Sequence, residues 1–108
     1  MPLAKQKFKS FGEHLRTLRG ETELPLREVA SHLGIDPSLL AKIERNERQP
    51  TKGLITRIAK IFSQDENFLT KQFISDQFAY KIYEEDADIE ILKVAEEKVK
   101  YLRKTNKA

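Results

Sequence analysis

The sequence contains no cysteine, which excludes a disulfide framework and any thiolate-based metal or redox chemistry. The same absence fits a cytoplasmic protein. No apolar run approaches the ~20 residues that a membrane-spanning helix needs, and no signal-peptide pattern is present. Histidine is scarce. His14 and His32 are the only two, they fall on separate predicted helices, and a metal or catalytic role would require further ligands beside them. The chain also lacks a nucleophile–base constellation and a glycine-rich phosphate loop. The acidic run Glu84–Glu85–Asp86–Ala87–Asp88 has neither converging histidines nor a glycine turn, so it reads as a solvated loop. No enzyme activity, no cofactor and no metal are expected.

What is present is charge, unevenly spread. A chain of 108 residues with 39% hydrophobic and 34% charged residues reads as a soluble helical domain, alone or with an extension. The net charge is +3, but residues 1–60 hold 12 Lys/Arg against 7 Asp/Glu, whereas residues 61–108 hold 8 against 10. The basic half is where a polyanion would dock.

That half contains the stretch around which the chain is organised, Leu26 to Pro50. Leu26, Val29, Ala30 and Leu33 fall at i, i+3, i+4 and i+7, one stripe of an amphipathic helix. Gly34 follows at the position where a left-handed backbone favours a residue without Cβ. Ile35 plugs the corner, Asp36 offers an N-cap carboxylate, and Pro37 takes the first helical position, where its missing N–H is harmless. A second helix, Ser38–Arg45, turns Leu40 and Ile43 inward and ends at Asn46, a common left-handed cap. Helix, glycine turn, capped helix is the grammar of a helix-turn-helix. Ala30 is small enough for the two helices to approach closely.

These residues resemble the XRE (lambda-repressor/Cro-like) helix-turn-helix family. The match runs through Glu28, Ala30, Leu33, Gly34, Ser38, Ile43, Glu44, Arg45, Arg48 and Pro50, with conservative changes at Val29, Ile35 and Leu40. It covers about 60 residues once flanking helices are included, from Phe8 to about Leu69. Pro25 and Leu26 stand where the family usually has Ser/Thr and Gln, so the first motif helix lacks its side-chain cap. The resemblance implies an all-α, lambda-repressor-like bundle of about five helices, here with a C-terminal helical extension. It also implies that Glu44 pairs with a basic residue inside the bundle, and that the first helix crosses the DNA backbone, bringing Arg16 or Arg19 toward a phosphate.

Around the motif, residues 1–7 form a basic lead without periodicity, expected to be disordered. Phe8, Phe11, Leu15 and Leu18 predict a first helix ending near Gly20–Thr22. Thr51 is a predicted cap for a helix over 52–62 that buries Leu54, Ile55, Ile58, Ala59, Ile61 and Phe62, and Phe68–Leu69 close the core. The domain is therefore drawn as 8–69.

On the second motif helix the outward positions Pro37, Ser38, Leu39, Ala41 and Lys42 are the candidate base readers. Ser38 exchanges hydrogen bonds with bases or phosphate, Leu39 and Ala41 pack on thymine methyls, and Lys42 reaches guanine O6/N7. Leu39 is expected to be exposed, since Leu40 already fills the core. Arg27, Arg45, Arg48 and Lys52 are the candidate phosphate contacts, with helix-end ion pairs among Glu44, Arg45 and Arg48 as the rival role for Arg45.

Residues 70–108 carry two further stripes. One holds Phe73, Ile74, Phe78, Ile82 and Tyr83; the other holds Ile89, Leu92, Ala95, Val99 and Leu102. Helices this apolar require a partner surface, either the helix at 52–62 or a second subunit. Ile74, Phe78, Ile82, Ile89, Leu92, Val99 and Leu102 are the candidate dimer interface. This segment is also similar to the tails of small regulators that accompany restriction–modification methylases. The expected function is a homodimeric, sequence-specific regulator of transcription bound to double-stranded DNA, a repressor or autoregulator on a palindromic operator. The runner-up is an antitoxin whose tail grips a protein partner.

Overall fold

The computed structural model of the protein describes residues 10–106. Among them are six helices and no strand: α1 Phe11–Thr22, α2 Leu26–Leu33, α3 Pro37–Glu44, α4 Lys52–Ile61, α5 Glu66–Glu84 and α6 Ile91–Thr105. The basic lead 1–7 and Phe8 lie outside the described residues. The chain divides into two compact units, Met1–Asp76 and Gln77–Ala108.

Local chemistry sets the helix boundaries. Ser10 and Glu13 form a reciprocal capping box at the start of α1: the Ser10 hydroxyl accepts from the Glu13 N–H at 3.1 Å and the Glu13 carboxylate accepts from the Ser10 N–H at 3.0 Å. Pro25 precedes α2 without any side-chain cap, and Gly34 ends it at φ 74°. Asp36 caps α3, accepting from the Ser38 N–H at 2.8 Å, with Pro37 at its first position. Asn46 turns left-handed after α3 at φ 63°. Thr51 caps α4 at 3.1 Å from the Leu54 N–H, and Asp65 accepts from the Asn67 N–H at the start of α5.

In the first unit α1 packs on α3, and α2 packs on both α3 and α4. Their shared core is Phe11 and Leu15 from α1, Val29, Ala30 and Leu33 from α2, Leu40 and Ile43 from α3, Leu54, Ile55, Ile58 and Ala59 from α4, and Leu69 from α5. Each fully buried Leu, Ile or Val contributes roughly 1.5–3 kcal/mol, so the stripes identified from spacing account for most of the packing. Leu26, Ile35, Phe62 and Phe73 pack against this core while keeping part of their surface. Phe73 meets the Phe11 ring edge-on, with centroids 5.8 Å apart.

Three packing expectations are corrected. Leu39, expected to be exposed, is half-buried against the core, because the short α3 lies low enough for its flank to touch the bundle. Ile61, expected to be buried, is exposed on the last turn of α4. Phe68, expected in the core, is also exposed and stands edge-on to the His14 ring, while Leu69 alone fills the core position. Successive helical positions diverge by about 100°, and that rotation turns Ile61 and Phe68 outward beside their inward neighbours.

The domain boundary drawn at residue 70 falls inside α5, a helix of 19 residues. In the second unit the chain turns at Asp86, φ 51°, and Asp88 accepts from the Glu90 N–H at 2.9 Å before α6 begins. No residue of α6 is buried.

Candidate nucleic-acid interface

Helix α3 presents two faces. Leu40 and Ile43 point into the core, whereas Pro37, Ser38, Lys42 and the following Arg45 and Arg48 are exposed. Lys52 at the start of α4 and Arg27 in the first turn of α2 are exposed as well. Leu39 and Ala41 are half-buried. The turn through Gly34 and Ile35 is closed by the Gly34 N–H bonding to Ser31 O and the Ile35 N–H bonding to Ala30 O, which fixes α3 against α2.

The C-terminal end of α3 is held still more firmly. The Asn46 side chain accepts from the Gly12 N–H at 3.2 Å and donates to the Ser10 hydroxyl at 2.8 Å. One residue thus ties the turn after α3 to the N-terminus of α1. Gly12 makes this approach possible: a Cβ there would stand 2.5–2.6 Å from the Ile43 and Glu44 carbonyl oxygens and the Asn46 amide oxygen. Beside it the guanidinium of Arg19 forks onto the buried Glu44 carboxylate, Nε to Oε2 at 2.7 Å and Nη2 to Oε1 at 3.0 Å. The bond to Glu44 raises the Arg19 pKa against the opposing effect of burial. On the far side of the α1 terminus, the Phe11 N–H donates to the buried Asp76 carboxylate at 2.6 Å.

This arrangement, two helices at a glycine turn with the second pinned at both ends and cationic on its open side, is matched by the family model described as a helix-turn-helix domain over residues 10–67, more than half of the chain. The chain belongs to the helix-turn-helix domain family. No curated protein and no solved structure matches it. A helix-turn-helix domain is a DNA-binding module that sets its second helix in the major groove, and here that helix is α3. Among the described residues, no helix is long and apolar enough to cross a membrane.

Within this helix-turn-helix domain several side chains are already engaged. The Ser38 hydroxyl donates to the Asp36 carboxylate at 2.7 Å, alongside the Ser38 N–H. These bonds lower the Asp36 pKa, so the carboxylate stays charged and keeps hold of the hydroxyl proton. Arg45 forks onto Glu47 at 2.9 and 3.1 Å in an exposed pair, rather than joining Glu44. A pair this open to solvent is weak, so a phosphate can displace Glu47 at little cost. Glu44 has the basic partner inside the bundle that the resemblance implies, and that partner is Arg19. Arg19 is therefore withdrawn from the phosphate role, which leaves Arg16, exposed on α1.

Sequence reasoning missed Gly12, the side-chain role of Asn46, and Asp76. The Ser10-x-x-Glu13 spacing was a readable signal for the start of α1. Asp76, a lone carboxylate between Phe73 and Phe78 on an apolar stripe, was another.

Proposed function

We propose that the protein is a sequence-specific transcription regulator that binds double-stranded DNA, a homodimeric repressor or autoregulator working on a palindromic operator. The observation that carries this reading is α3, a helix braced at both ends whose inner residues Leu40 and Ile43 are buried while Lys42, and Arg45 and Arg48 just after it, are exposed. With α3 in the major groove, Lys42 donates to guanine O6 and N7, Ala41 and the outer flank of Leu39 contact thymine methyls, and Pro37 and Ser38 sit at the leading edge. Ser38 meets DNA chiefly as an acceptor, because Asp36 holds its proton. Arg27, Arg45, Arg48 and Lys52 neutralise phosphates, which fixes register and makes affinity depend on salt. In a two-fold dimer the paired α3 helices lie about 34 Å apart, one turn of DNA.

The test is a gel shift of the full chain on the duplex upstream of its own gene, set against unrelated DNA over a salt series. Tight, selective binding at physiological salt is expected. Equal binding to both duplexes, or binding at low salt alone, would overturn the sequence-specific reading. Control of a restriction–modification operon rests on the tail alone, outside the matched residues 10–67, and is the finer and separate part of the proposal. The exposed apolar residues of α6 also suit the antitoxin reading. A chain that is monomeric in light scattering until a second protein is added would favour that reading.

A further inference from the structure

In the second unit α6 carries an apolar seam whose residues are all exposed. Leu92, Ala95, Val99 and Leu102 follow one another at spacings of three, four and three, the a/d period of a helix that packs along another helix. Leu92, Val99 and Leu102 are 45%, 43% and 53% exposed. A contiguous apolar stripe of this kind marks an interaction surface.

The charge along the same segment indicates the occupant. Residues 84–97 carry seven carboxylates and one lysine, a net −6, whereas residues 98–108 carry five Lys/Arg and no acid. The exposed pair Glu96–Lys100 at 3.5 Å neutralises only one charge of each sign within α6. Such a segment complements a copy of itself in one direction only. Laid parallel, two copies set acid against acid and base against base. Laid antiparallel, they bring the acidic end of the segment in one copy to the basic end in the other, with opposed helix dipoles.

We propose that α6 pairs antiparallel with α6 of a second copy, across a two-fold axis level with Glu97. This deepens the homodimer of the proposed function and rests on it. The axis position follows from the seam, which is symmetric about residue 97: Leu92 meets the second copy's Leu102 and Ala95 meets its Val99. Each contact therefore occurs twice, as an isologous interface requires. The small Ala95 side chain lets the helices approach at their centre, and the leucines close both ends.

The absence of native cysteine allows single spin labels to be placed without background. Three full-length variants, Lys93→Cys, Glu97→Cys and Lys104→Cys, put a label off the seam at different distances from the axis, and dipolar spectroscopy reads the separation between copies. At 1.5 Å per residue the two labels are offset along the helix by about 12 Å at 93, about zero at 97 and about 21 Å at 104. The expected order is therefore shortest at 97, longer at 93 and longest at 104, and Val99→Glu abolishes the coupling. Equal short separations at all three positions mean a parallel pair and overturn the proposal. Long separations at all three mean a dimer made elsewhere and overturn it too. Light scattering and gel shift of the unlabelled chain separate the two failures. A DNA-binding dimer with the wrong label distances removes only the α6 pairing, whereas a monomer removes the homodimer as well.

Discussion

Replacing Gly12 by Ala tests the brace behind α3. Gly12 lies in the first turn of α1, where its missing Cβ lets the Ile43 and Glu44 carbonyls and the Asn46 amide come within 2.5–2.6 Å of the position a methyl would take. Two of these three atoms are backbone at the end of α3, so the clash is not relieved by rotating a side chain. Overpacking of this kind costs about 1–3 kcal/mol. Displacing Asn46 adds about 1 kcal/mol for each of its bonds to Gly12 N–H and the Ser10 hydroxyl. The better helix propensity of Ala returns up to about 1 kcal/mol. The net is a destabilisation of about 2–4 kcal/mol, and at 4–8 °C per kcal/mol for a domain of this size the melting temperature falls by roughly 8–30 °C. Gly20→Ala, near the other end of the same helix, is the control. A Cβ there meets nothing within 4 Å, so the propensity gain of about 0.5–1 kcal/mol is expected to appear as a small rise. Thermal and urea unfolding of the two variants decide the matter. If Gly12→Ala were neutral, or stabilising like Gly20→Ala, the close approach of α1 to α3 would be refuted.

The remaining predictions concern the DNA face and Asp76. Lys42→Ala should cost about 1–3 kcal/mol on the cognate operator and relax one base position; an equal loss on all DNA would make Lys42 a phosphate contact instead. Arg48→Ala should weaken all duplexes alike and reduce the salt slope by about one unit; an unchanged slope would remove it from the phosphate set. Burial raises the Asp76 pKa, the bond from the Phe11 N–H works against that rise, and the Glu13 carboxylate adds to it. The folded chain therefore holds this proton more tightly than the unfolded chain does. The contribution of Asp76 is most favourable below the unfolded pKa and is lost as pH rises through the raised folded value, upward from about pH 4. Asp76→Asn keeps an acceptor for Phe11 without the charge, so its stability relative to the native chain should improve as pH rises across that range. Urea unfolding between about pH 4 and 7 measures this, and a difference that stayed flat or ran the other way would contradict the assignment.

The motif was legible because its signals are local. Gly34, Asp36, Pro37 and Thr51 each act within a few residues of themselves, and the apolar stripe of α2 needs only helical periodicity to be read. The same holds for the open side of α3, since Leu40 and Ile43 facing in leave Lys42 and Ser38 facing out. What the sequence did not decide was which of Phe68 and Leu69 faces the core, whether Ile61 does, and which basic residue pairs with Glu44. Phe68 and Leu69 have equal claims on the core in the sequence, and only the rotation of α5 decides between them. Arg16 and Arg19 look alike on α1, and only the position of Glu44 makes one of them internal.

By itself, then, the sequence determined the helices, their caps, the glycine turn and the concentration of positive charge in the half that binds DNA, because these depend on backbone preferences and spacing along the chain. The tertiary structure alone decided that Arg19 belongs to Glu44, that Asn46 and Gly12 lock the end of α3 to the start of α1, and that Asp76 closes on the Phe11 N–H. Those contacts join residues 25, 34 and 65 positions apart, and no periodicity along the chain specifies which distant groups packing will bring within hydrogen-bonding distance.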